Sequence, residues 1–159
     1  MPKIKANNAT FYYELVGKGQ PIILIAGYTC DYSTWQLMME QLSNHFQVLV
    51  FDNRGIGQTT DTNEPLSAEL MAEDVIALSE QLHLDKPHIV GQSMGGTIAQ
   101  TIAAKFPDKI NKLCLLTTSA KWRHAKNSFS RFTCRSKSMP RKMAGDFPPL
   151  RGRPRLKRP

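Results

Sequence analysis

Five residues, Gly91-Gln92-Ser93-Met94-Gly95, set a hydroxyl between small residues at the junction of two contrasting stretches. Before them runs the apolar His88-Ile89-Val90. After them comes a helix-like stretch, Gly96-Thr97-Ile98-Ala99-Gln100-Thr101-Ile102-Ala103-Ala104-Lys105-Phe106. A serine on a turn from strand into helix adopts a cramped backbone, and glycines two positions to either side let strand and helix pass closely. Such a turn lifts the hydroxyl clear of the sheet and aims the first free N–H groups of the helix at whatever the serine attacks. The chemistry that needs this arrangement is nucleophilic attack through Ser93. A plain surface turn is the other reading of a G-x-S-x-G pentapeptide. The strand before it and the glycine-rich helix start after it favour the nucleophile.

The elements that must position this turn are written in the flanking sequence. Thr10-Phe11-Tyr12-Tyr13-Glu14-Leu15 follows the turn-forming pair Asn7-Asn8 and reads as the second arm of a hairpin. Ile22-Ile23-Leu24-Ile25-Ala26 and Phe46-Gln47-Val48-Leu49-Val50-Phe51 are strands of the kind covered on both faces. Between them, Thr34 to Leu42 has apolar residues at helical spacing, with Thr34 as its cap. Ser67 caps a long helix running to about His83, with Met71, Val75, Leu78 and Leu82 buried and Glu69, Glu73, Asp74 and Glu80 in water. Pro107 stops the helix after Ser93, and Leu113-Cys114-Leu115-Leu116 forms the last strand. Strands alternating with helices predict an α/β fold, a mostly parallel sheet with helices on both faces.

The chain has 159 residues, a size that suits an ordinary domain with a real core. Its formal net charge of +8 is unevenly distributed. Residues 1–119 hold 8 Lys/Arg against 12 Asp/Glu, whereas residues 120–159 hold 13 Lys/Arg against the single acid Asp146. That divides the chain into a core, 1–119, and a basic tail, 120–159. The tail contains five prolines, two Leu and neither Val nor Ile, so it is expected to be disordered. Cys30, Cys114 and Cys134 show no regular spacing, which fits a reducing cytoplasm rather than a disulfide framework. The start, Met1 to Asn8, has no apolar leader region, and no apolar run approaches the ~20 residues that span a bilayer. A cytoplasmic chain without a membrane partner is expected. Its oligomeric state is not legible.

Four segments, in order, give residues 10–119 a family likeness. Ile25-Ala26-Gly27-Tyr28, followed by Trp35, resembles a strand-end loop that normally opens with His-Gly. Asp52-Asn53-Arg54-Gly55-Ile56-Gly57 resembles a D-x-R-G-x-G turn. The Ser93 turn is the third, and Phe106-Pro107-Asp108-Lys109-Ile110 resembles the stop after its helix. Together they resemble the N-terminal half of an α/β-hydrolase, of the kind that includes enol-lactonases, carboxylesterases and proline aminopeptidases. The resemblance implies Ser93 as nucleophile forming an acyl-enzyme, with the backbone N–H groups of Met94 and Tyr28 as the oxyanion hole. It implies a small ester or lactone substrate and neither cofactor nor metal. Ala26 stands where the family usually has histidine, a change expected to loosen the loop but to leave its backbone donor. For Asp52 and Arg54 a structural role in a turn held by local hydrogen bonds is expected.

The family's triad order is Ser, then Asp or Glu, then His. Downstream of Ser93 stand only Asp108, Asp146 and His124. Asp108 reads as a solvated helix-stop residue, and His124 precedes Asp146, the wrong order. His45 and His83 read as surface residues at helix ends, and His88 as a strand start. No triad acid and no triad histidine is therefore assigned, and the expectation is an inactive chain with a truncated or frame-shifted C-terminal part. The alternative is a polyanion- or DNA-binding protein acting through the tail. Arg151-Gly152-Arg153-Pro154 resembles the core of AT-hook peptides, whose arginines enter narrow A·T minor grooves.

Overall fold

The computed structural model describes residues 2–60, 62 and 64–119. Asn7 and Asn8 take φ of +42° and +62°, the double positive pair of a tight hairpin turn. They join β1 (Lys3–Ala6) to β2 (Ala9–Val16), with Ala6 opposite Ala9. The apolar runs form β3 (Gln20–Ile25), β4 (Phe46–Phe51) and β5 (His88–Gln92), and β6 (Leu113–Leu116) closes the series. The sheet order is β1-β2-β4-β3-β5-β6. β1 and β2 pair antiparallel, β2 joins β4 antiparallel, and the remaining pairs are parallel. The α/β expectation is met.

Burial explains why β3 and β4 are apolar without alternation. Ile23, Ile25, Leu49, Phe51 and Ile89 face one layer, where α2 (Ala68–Gln81) and α3 (Met94–Lys105) pack. Ile22, Leu24, Val48, Val50 and Val90 face the other, with Trp35 over them. Ser67 caps α2 as expected, its hydroxyl accepting from Leu70 N at 3.0 Å. Pro107 opens a short 3-10 turn just past the end of α3.

Three expectations need correction. The segment after Asp31 is split into a 3-10 turn (Tyr32–Trp35) and a short α1 (Gln36–Leu42), and the cap is Asp31, which accepts from Ser33 N, not Thr34. No residue of α1 is fully buried and Leu37 is 79% exposed; Met39 and Leu42 are half-buried against the layer that holds Trp35. Asp74, expected in water, is buried in α2 against Arg54. The basic tail lies outside the described residues.

Candidate functional site

The junction of β5 and α3 is sharp because three glycines remove the side chains that would block it. A Cβ on Gly91 would overlap the Gly95 carbonyl, and one on Gly95 would overlap the carbonyls of Ile25 and Ala26. Ser93 between them sits at φ +54°, ψ −116°, a conformation that costs an L-residue on the order of 1–3 kcal/mol and persists only where neighbours impose it. Its carbonyl accepts from Gly96 N at 3.0 Å, Thr97 N at 3.3 Å and the Thr118 hydroxyl at 2.8 Å. Its own N–H donates to Leu116 O at 3.0 Å, tying the turn to β6. Ser93 itself is exposed, at the N-terminus of a twelve-residue helix whose dipole favours negative charge there.

The strand-end loop of β3 lies directly against this turn. A Cβ on Gly27 would fall 3.3 Å from Ser93 Cβ and 2.7 Å from Gln92 Oε1. Tyr28 follows, 42% exposed, and Thr29 adopts φ +61°. The structure thus brings Tyr28, Ser93 and Met94 to one edge of the sheet, the C-terminal ends of β3 and β5.

The turn after β4 packs behind them. The buried Asp52 accepts from Tyr32 N at 2.9 Å and from Gln58 N at 2.8 Å. Burial raises its carboxyl above the ordinary aspartate value, and these two backbone donors oppose the rise. Local bonds hold this turn as expected, and the bonds of Arg54 also reach well beyond it. The Arg54 side chain is fully buried and grips Asp74 through Nε at 2.9 Å and Nη2 at 2.5 Å, with further bonds to Thr62 Oγ1 and Asn7 O. Asn7 completes the knot by donating to Asp74 Oδ1 at 2.7 Å. Asp74 is part of this scaffold, and its place between Met71 and Leu78 on the buried face of α2 was the one signal for it. No local signal marked Asn53, whose amide reaches Ala26 O, or Thr118, whose hydroxyl reaches Ser93 O.

The described histidines lie elsewhere. His88 begins β5 and Ser93 follows its end, so about 16 Å of strand separates them. His45 and His83 precede β4 and β5, at the same far edge of the sheet, and both are exposed, as expected. His88 is shifted below the ordinary histidine range by burial, with Lys112 adding to the effect. Asp108 is exposed in the 3-10 turn after α3, again as expected. Among the described residues no three His, Cys, Asp or Glu side chains gather as a metal-binding group. No helix among them is long and apolar enough to cross a membrane.

Comparison with known proteins matches residues 20–135 to the family described as the alpha/beta hydrolase fold. The chain belongs to that family. Among its hydrolase relatives, pyrrolizixenacetamide deacetylase of Xenorhabdus hominickii is 32% identical over 117 residues, 73% of this chain and 44% of that protein. The enol-lactonase of Burkholderia xenovorans LB400 superposes with a TM-score of 0.73 at 31% identity, covering 76% of this chain and 48% of that one. A thermophilic esterase from Thermogutta terrifontis gives a TM-score of 0.75 at 30% identity, over 79% of this chain and 48% of the esterase. The chain spans under half the length of the curated relatives it matches.

Proposed function

We propose that the β5–α3 junction is the acyl site of a serine hydrolase acting on an ester, lactone or related acyl bond. Ser93 Oγ is the nucleophile, and the N–H groups of Met94 and Tyr28 receive the oxyanion of the tetrahedral intermediate. The observation that carries this is the left-handed backbone of Ser93, held between Gly91 and Gly95 with its hydroxyl exposed at a helix N-terminus. Deacetylase, lactonase and esterase relatives support the bond class. The general base and its acid partner are not among the described residues: His45, His83 and His88 stand at the opposite sheet edge. His124 and Asp146 lie outside those residues. Without a base, Ser93 remains an ordinary alcohol at neutral pH, so this chain is read as a poor catalyst.

Exposure of the purified chain to an activated acetyl ester tests both parts. The expected result is slow acetylation of Ser93, detected by peptide mass spectrometry and absent from Ser93→Ala. Residual catalysis of up to ~10³–10⁴-fold over water from oxyanion contacts and binding is compatible with this. Acetylation that ignores Ser93 would remove the site. A rapid stoichiometric burst lost in Ser93→Ala would instead show a base at work.

A further inference from the structure

The segment from Gly27 to Asp31 carries the Tyr28 N–H and touches Ser93 at Gly27. It is not a relaxed loop. Thr29, a β-branched residue, is held at φ +61°, where such residues stand only under constraint. Within the segment, Cys30 N reaches Gly27 O at 3.3 Å, and the Thr29 hydroxyl reaches the adjoining Tyr28 carbonyl.

The constraint comes from a different part of the chain. At one end of the segment, Asn53 Nδ2 donates to Ala26 O at 3.1 Å in a buried contact. At the other, Tyr32 N donates to Asp52 Oδ1 at 2.9 Å. Consecutive residues of one turn therefore hold both ends of the five-residue segment. The turn is itself fixed. Asp52 Oδ2 accepts from Gln58 N, the Asp52 carbonyl accepts from Thr59 Oγ1 at 2.8 Å, and Arg54 is anchored to Asp74 of α2. The Ala26 carbonyl is also pressed against Gly95, so its peptide is gripped by Asn53 and by the first turn of α3 together. Ala26 has no polar side chain, and the bond at this position is made from across the sheet.

We propose that Asp52 and Asn53 are positioning residues for the oxyanion site, clamping the Tyr28 peptide in register with Ser93. The proposal rests on the acyl-site reading for its purpose, but the clamp itself is separately testable. Asn53→Asp keeps the shape of the side chain and removes the donor, since a carboxylate only accepts. Amide hydrogen exchange of the full chain is then compared in the parent, Asn53→Asp and Asn53→Ala. Loss of one such bond is expected to speed exchange across residues 27–32 about tenfold while amides of α2 and α3 keep their rates. Unchanged exchange at 27–32, or equal acceleration in every element, would overturn the clamp.

Phenylboronic acid supplies the second readout. Boron accepts a lone pair of Ser93 Oγ, the hydroxyl proton passes to water, and a tetrahedral anion forms whose boron resonance is distinct. The adduct should vanish in Ser93→Ala and weaken about tenfold in Asn53→Asp. Undiminished affinity in Asn53→Asp would refute the positioning role. If the parent forms no Ser93-dependent adduct, the acyl-site reading fails, and the exchange data still judge the clamp.

Discussion

Replacing Asp74 by alanine isolates the strongest structural claim about the turn behind the site. The substitution strips Arg54 of bonds at 2.9 Å and 2.5 Å and Asn7 of one at 2.7 Å. Arg54 has no route of escape: its side chain is wholly buried, and guanidinium does not give up its proton at accessible pH. The Thr62 hydroxyl, the Asn7 carbonyl and the Phe11 ring remain beside it. Breaking a buried pair from one side costs about 3–5 kcal/mol, a large share of the about 5–15 kcal/mol that holds a typical domain. Asp74→Asn keeps one carbonyl acceptor and should fall between. The pair Arg54→Met with Asp74→Leu removes both charges and should recover most of the loss. Urea unfolding of the full chain, followed by far-ultraviolet circular dichroism, measures each variant. At the usual urea dependence for small proteins the midpoint for Asp74→Ala should drop by about 2 M. A loss below about 1 kcal/mol, or a double variant as unstable as the single one, would refute the reasoning.

Gly95→Ala drives a methyl into the carbonyls of Ile25 and Ala26, so a cost of about 1–3 kcal/mol and slower Ser93 acetylation are expected; denaturant midpoints and labelling rates check both. The lowered His88 value means the unfolded chain binds a proton first as pH falls. Stability should therefore be full above about pH 6.5 and decline below it, and His88→Gln should flatten that part of a midpoint-versus-pH series. Leu113 and Leu115 of β6, the outermost strand among the described residues, are 39% and 41% exposed, so concentration-dependent association is expected in light scattering. Leu115→Lys should suppress it with little change in melting; association that is unaffected would clear this edge of blame.

How much of this was legible in the sequence follows from how local each signal is. The double-asparagine turn, the unalternating strands, the Ser67 cap and the Pro107 stop are each decided within a few residues, and each stands where it was expected. The Ser93 turn was legible for the same reason, since its glycines and its strand–helix setting are contiguous. Asp74 was misjudged because a carboxylate on a helix is wet unless a cation meets it, and that cation is twenty residues away at Arg54. Its position, one turn along from Met71 and Leu78, lay on the buried face all the while. The α1 segment was legible in its spacing but not in its depth. Trp35, Met39 and Leu42, at helical spacing, face the layer of Ile22 and Val48, with Met39 and Leu42 only half-buried, while Leu37 and Met38 fall on the outer side. Asn53 sat in plain view within a recognisable turn, yet its partner, the Ala26 carbonyl, carries no side-chain signal at all.

Two residues at the candidate site, Thr29 and Ser93, hold left-handed backbones that their side chains resist. Both are also held from outside their own turns. Ser93 is pinned by glycine packing against β3 carbonyls and by Leu116 and Thr118, while Thr29 lies in a segment closed by Asp52 and Asn53. These constraints arise from the sheet, from α2 and α3, and from the turn after β4, all within residues 2–119. None of them involves His45, His83 or His88. The shape proposed above for attack and anion binding is thus built without the described histidines. It follows that a chain can hold an intact site shape and still turn over slowly. Activity alone is then a poor guide to whether the site is formed, and covalent labelling of Ser93 or boronate capture reports on it more directly. Rapid turnover without change at Gly95, Asn53 or Ser93 variants would break this separation of shape from proton transfer.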